Sequence, residues 1–148
     1  MEKILYTSFL KEERGKGCPF CAPHRLNEII AENKHAYLTY ALAPYSSYHL
    51  LVVPKRHVEY IRDLTAKERD AIENLIESAD KILRQKNIEN YFIIVRNGKR
   101  SHKSVLHLHY NVIPSHRERD FNVLLEKRRI LSDREINKLL KETRNILK

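Results

Sequence analysis

His107, His109 and Asn111 occupy alternate positions in the stretch Ser104-Val105-Leu106-His107-Leu108-His109-Tyr110-Asn111-Val112-Ile113-Pro114. In a β-strand successive side chains point to opposite faces, so alternate members are about 6–7 Å apart on one face. The pattern predicts Leu106, Leu108, Tyr110 and Val112 in the core, with Val105, His107, His109 and Asn111 on the opposite face. A rigid row of imidazole and amide groups suits a phosphate or a metal. A neutral imidazole can attack an α-phosphorus to form a nucleotidyl-histidine, which divides one difficult displacement into two easier ones. His109 is the candidate nucleophile, because a polar neighbour flanks it on each side of the row. Two histidines at this spacing, taken alone, describe an ordinary strand; the surrounding motifs decide the matter.

A second cluster is Cys18-Pro19-Phe20-Cys21, which holds both cysteines of the chain. Outside an oxidising compartment such a pair points to metal or redox chemistry more than to a structural disulfide. Structural zinc takes four ligands in a tetrahedron, so Cys18 and Cys21 are an incomplete set. A redox pair would need a thioredoxin-like βαβ setting, which the pattern lacks. Two inert thiols are the remaining alternative.

The elements that must carry these residues are legible along the chain. Residues 1–14 are amphipathic, either a strand or a short helix, and Gly15-Lys16-Gly17 breaks them off before a tight loop at Cys18–Cys21. Residues 36–41 read as a strand, Pro44–Ser47 as a turn, and residues 49–53 as a short apolar run that Pro54 ends. His49 is expected to be partly buried with one backbone bond. Thr65-Ala66-Lys67-Glu68 has the form of a capping box. It opens a helix that turns Ile72, Leu75, Ile76, Ala79, Ile82 and Leu83 inward. Residues 91–95 form a second buried strand, and Asn97-Gly98 a turn into the histidine strand. A second capping box, Ser132–Glu135, starts a last helix with Ile136, Leu139, Leu140 and Ile146 inward. The order predicts an α+β fold: a mostly antiparallel sheet with one long central helix and a C-terminal helix.

With 148 residues, no repeat and no linker-like tract, the chain is expected to be a single domain, residues 1–148. The net charge of +9 favours polyanionic partners, without requiring one. The start of the chain lacks a basic region followed by an apolar run, so no signal peptide is expected. No apolar stretch reaches the roughly 20 residues of a membrane span. A cytoplasmic protein without membrane contact is the expectation.

The histidine strand, with Ser104 before it and Pro114 after it, resembles the signature of the histidine triad (HIT) family of nucleotide hydrolases and transferases. The resemblance runs over residues 18–114 and includes His49-Leu50-Leu51-Val52-Val53-Pro54-Lys55-Arg56-His57. It implies a HIT-like fold, a small-molecule nucleotide substrate, a homodimer, His109 as nucleophile, and Ser104 and Asn97 as groups that hold the phosphate. It also implies that His57 and His107 complete a structural zinc site with Cys18 and Cys21, one ion per chain. His24 is a competing ligand, although its spacing from Cys21 would strain a four-ligand cage.

The sequence departs from the family pattern at several points. Asn111 replaces the third histidine, and an amide cannot shuttle a proton. The related nucleotidyl transferases have a glutamine there. His102-Lys103 replaces a Gly-Gln pair, which places two basic candidates for substrate contact in the phosphate loop. Ala41 stands where an acid or amide often meets the ribose hydroxyls. The resemblance implies a hydrolase acting on a nucleoside phosphoramidate, a dinucleoside polyphosphate or another nucleotidylated small molecule. Its rivals are a transferase or phosphorylase that passes the nucleotidyl group to phosphate or a sugar phosphate, and a weakly catalytic nucleotide- or nucleic-acid-binding module. The module would use Arg117, Arg119 and Lys127-Arg128-Arg129 as a polyanion groove beside Phe121; a solvated basic face is the other reading of that tract.

Overall fold

The computed structural model describes residues 18–21, 28–98, 106–115 and 128–148. The segment 1–14, His24, His102, Lys103, Ser104, Arg117, Arg119, Phe121 and Lys127 lie outside the described residues.

Five strands form one sheet in the order β1-β2-β3-β5-β4 among the described residues. They are β1 (Ala31–Glu32), β2 (Ala36–Tyr40), β3 (Leu50–Pro54), β4 (Tyr91–Val95) and β5 (Tyr110–Pro114). Every pairing is antiparallel. Between β3 and β4 runs helix α1 (Ala66–Gln85), and helix α2 (Asp133–Ile146) follows β5. The expected α+β architecture is therefore present. The short β1 and a 3-10 turn at Ile61–Asp63 were not foreseen, being too short for a periodic signal.

Helix α1 begins where expected. The Thr65 hydroxyl accepts from the Glu68 amide, and the Glu68 carboxylate accepts from the Thr65 amide. The helix ends in a Schellman motif: Ile88 N–H donates to Leu83 O at 2.9 Å, with Asn87 at φ 57 supplying the left-handed residue. Its inward stripe packs Ile72, Leu75, Ala79, Ile82 and Leu83 against Leu38, Leu50, Val52 and Val112 of the sheet. Each fully buried side chain of this size contributes about 1.5–3 kcal/mol, so the sheet has a firm floor on this side.

The opposite face carries a smaller apolar cluster, Phe20, Tyr37, Ala41, Leu51 and Val53, and it is this face that bears the polar row. Tyr37 ties the cysteine loop down, its hydroxyl donating to Phe20 O at 2.7 Å. Between β2 and β3 the chain reverses through Tyr48 at φ 62. A tyrosine in that left-handed conformation costs about 1–2 kcal/mol. The Tyr48 hydroxyl donates to Glu142 on α2 at 2.6 Å, which holds the turn in place.

One expected strand is shorter than its alternation implied. β5 starts at Tyr110, so His107 and His109 precede it. Leu106, expected in the core, is 46% exposed, while His107 is fully buried. The cause is a pair of bonds to residues distant along the chain: His107 Nε2 donates to Pro54 O at 2.7 Å, and Leu108 N–H donates to Val58 O at 2.7 Å. These bonds to the end of β3 and to the segment after it pull the chain out of strand geometry before Tyr110.

Candidate active site

The backbone bond from Leu108 to Val58 sets the segment carrying His107 beside the segment carrying His57, and the two rings meet edge-on with centroids 5.0 Å apart. The turn at Cys18–Cys21 closes over them. His107 Nδ1 lies 3.4 Å from both Cys18 Sγ and Cys21 Sγ, and His57 Nδ1 lies 3.2 Å from Cys21 Sγ. The four donor atoms all fall within 4.8 Å of one another. Around a tetrahedral zinc, sulfur and nitrogen ligands stand about 3.6 Å apart, given the usual bond lengths. Protonation agrees as well. Pro54 O can only accept, so His107 must carry its proton on Nε2, and its Nδ1 lone pair faces the sulfurs. Cys18, Cys21, His57 and His107 could thus hold a metal ion. Desolvation of the sulfur, followed by the neighbouring Cys18, pushes the Cys21 thiol up to about 11, so a bound metal must displace that proton.

The same logic fixes His109. Its Nδ1 lies 2.8 Å from the carbonyl oxygen of His107, an atom that can only accept. Nδ1 therefore carries the proton, and the lone pair of the neutral ring is on Nε2. Phe20 walls both histidines, with ring centroids 5.0 Å from His109 and 6.0 Å from His107. A phenylalanine between two cysteines thus joins the cluster to the second histidine.

Asn111 lies on the same face, paired across the sheet with Leu51 of β3 and Ile94 of β4. Its Nδ2 donates to Ile94 O at 3.1 Å, and its Oδ1 lies 3.0 Å from His49 Nε2. His49 was expected to be partly buried with one backbone bond. The backbone bond is present, from Tyr45 N–H to His49 Nδ1 at 3.2 Å, but the ring is only 2% exposed and also touches the site directly. Burial first, then the positive charges of Arg128 and Arg96, push it down to about 3 against the opposing pull of the Asn111 bond. Tyr45 stacks on His49 at 5.7 Å, Arg128 lies over the Tyr45 ring at 4.0 Å, and Arg96 donates to the Tyr45 hydroxyl at 3.0 Å.

Asn97 and the basic tract can be placed as well. Asn97 Oδ1 accepts from Ile61 N–H at 2.8 Å, so its carbonyl supports the 3-10 turn and only its Nδ2 is suited to a phosphate oxygen. The basic tract is not an open groove where it is described, since Arg128 folds onto Tyr45 and Arg129 forms an ion pair with Glu135. The signal for His49 was weak: a lone histidine at the start of an apolar run says nothing of what it faces.

Residues 17–124 match the family described as scavenger mRNA decapping enzyme C-term binding. An adenosine 5′-monophosphoramidase of Schizosaccharomyces pombe is 30% identical over 89 residues, 60% of this chain and 65% of that protein. The aligned part is thus less than two thirds of that relative's length. Among solved structures, a zinc-bound histidine triad protein from Mycobacterium smegmatis superposes with a TM-score of 0.67 at 24% identity, over 88% of this chain and 95% of that one. A histidine triad nucleotide-binding protein from Sulfolobus tokodaii gives a TM-score of 0.73 at 18% identity, over 88% and 91% respectively. These two likenesses establish the fold.

Proposed function

Because the chain belongs to the histidine triad family, we propose that it is a nucleotide hydrolase acting at an α-phosphate through a covalent intermediate on His109. The observation that carries this reading is the bond from His109 Nδ1 to the His107 carbonyl, which puts the neutral ring's lone pair on Nε2. In the first step Nε2 attacks the α-phosphorus. A phosphorus–nitrogen bond forms, the bond to the leaving group breaks, and the leaving group takes the electron pair. In the second step a water oxygen attacks the same phosphorus, His109 departs with its electron pair, and the water proton passes to solvent or base. Phosphoryl transfer also needs donors for the non-bridging oxygens. Asn111 and Asn97 fill that role, together with Ser104, Lys103 and His102.

Cys18, Cys21, His57 and His107 hold one structural zinc per chain in this proposal. The set is closed by four protein ligands, so the ion supplies folding energy and anchors the segment before β5. The name of the Mycobacterium smegmatis neighbour, a zinc-bound protein, agrees with that choice of metal. The active form is a homodimer in the cytoplasm. Among the described residues no helix is long and apolar enough to cross a membrane.

Asn111 favours a second reading. In place of a third histidine, the Asn111 amide cannot protonate the departing group, as suits transfer to phosphate or a sugar phosphate instead of water. Turnover of a panel of adenosine phosphoramidates, dinucleoside polyphosphates and nucleotidyl sugars, with and without added inorganic phosphate, tests both. Hydrolysis independent of phosphate supports the hydrolase, and a requirement for phosphate supports the transferase. No turnover of any member contradicts both.

A further inference from the structure

We infer that His49 is the positioning residue that fixes which way round the Asn111 amide faces substrate, presenting an N–H donor and never the carbonyl oxygen. The inference rests on the reading above only in placing a phosphate beside Asn111. Three bonds set it without ambiguity. Tyr45 main-chain N–H can only donate, and it points at His49 Nδ1 from 3.2 Å. His49 Nδ1 therefore bears the lone pair and Nε2 bears the proton. That proton faces Asn111 Oδ1 at 3.0 Å. Asn111 Nδ2 then donates one N–H to Ile94 O at 3.1 Å, and its other N–H makes no bond among the described residues.

The consequence is specific. Free rotation would let an asparagine meet an anion with its oxygen in half of its orientations, which repels phosphate. Here both ends of the amide are claimed by partners of fixed polarity, so a flip would oppose two N–H groups at His49 and two carbonyl oxygens at Ile94. Each mismatch leaves a desolvated group unpaired. His49 is itself clamped, with the Tyr45 ring stacked on it, Arg128 over that ring and Arg96 on its hydroxyl. The neighbouring positive charges and the burial of the ring keep it neutral, so it acts as a fixed donor and does not supply the proton that Asn111 lacks.

Equilibrium binding of AMP to the wild-type chain and to His49→Leu, Asn111→Ala, the double variant and His49→Gln tests the inference. A hydrogen bond to a charged oxygen corresponds to a loss of about tenfold in affinity. His49→Leu and Asn111→Ala are each expected to lose about that much, and the double variant no more than either alone. His49→Gln, whose amide can donate from nearly the same place, is expected to stay within about threefold of wild type. Additive losses, or unchanged binding in His49→Leu, would overturn it. Nitrogen NMR of the wild-type imidazole is a second readout that no unfolded variant can spoil: it should show a protonated Nε2 and a bare Nδ1, and the opposite tautomer would also overturn it. If AMP binding follows this pattern while no nucleotide is turned over, the hydrolase reading fails and the positioning role of His49 stands.

Discussion

His109 Nδ1 lies 2.8 Å from the main-chain oxygen of His107, so the candidate nucleophile is held by the backbone of a candidate metal ligand. His107 in turn is fixed by Pro54 O and faces both cysteines. The cysteine–histidine cluster, the backbone and the candidate nucleophile form one continuous support, from which separate consequences follow.

Purified protein is expected to carry about one zinc per chain, measurable by elemental analysis. Cys18→Ser should lose the metal and several kcal/mol of stability, because metal binding in a closed four-ligand site is folding energy. Activity should fall with it, as the His107 carbonyl loses its anchor. Metal-free protein of unchanged stability would rule the site out.

Phe20→Ala should destabilise the chain by about 3–5 kcal/mol, the usual cost of emptying a buried aromatic site. Phe20 is 5% exposed and walls both His107 and His109. Denaturant unfolding and turnover should therefore decline together; unchanged turnover in a destabilised variant would show that the wall is purely structural.

Acid should weaken the fold through the two capping-box glutamates. The Arg56 hydrogen bond holds Glu68 down to about 2, and the Arg129 hydrogen bond does the same for Glu135. Both carboxyls have native values below their unfolded one, so their stabilisation is complete above about pH 4.5 and is lost as pH falls from there towards 2. Thermal unfolding should drop by several degrees over that window, and less so in Glu68→Gln. Both pairs reach solvent, so added salt should shrink the effect.

Asn111→His should restore a proton donor and raise turnover selectively for substrates with basic leaving groups. General acid help is worth about 10²–10⁴-fold, so phosphoramidates should gain far more than dinucleoside polyphosphates. An equal gain on every substrate would make Asn111 a matter of position alone.

Much of this was legible in the sequence because its causes are local. Thr65-Ala66-Lys67-Glu68 and Ser132–Glu135 declare helix starts within four residues, and both capping boxes form. The candidate metal ligands came from the cysteine pair and the family resemblance, and the four donors do converge. What was not legible depends on partners distant along the chain. Leu106 obeyed the strand alternation on paper, but Pro54 O captures the His107 side chain and Val58 O the Leu108 amide beside it. His49 meets Asn111 across 62 positions, and no pattern near either residue records that bond.

Trapping the intermediate tests the role of His109 most directly. The chain is mixed with a slowly turned-over nucleotide, quenched in base, where a phosphorus–nitrogen bond survives, digested, and examined by mass spectrometry. The expected result is one nucleotidyl mass on the peptide containing His109, absent from His109→Ala, while that variant remains folded and still binds nucleotide. An adduct on any other residue, or full turnover by His109→Ala, would contradict it.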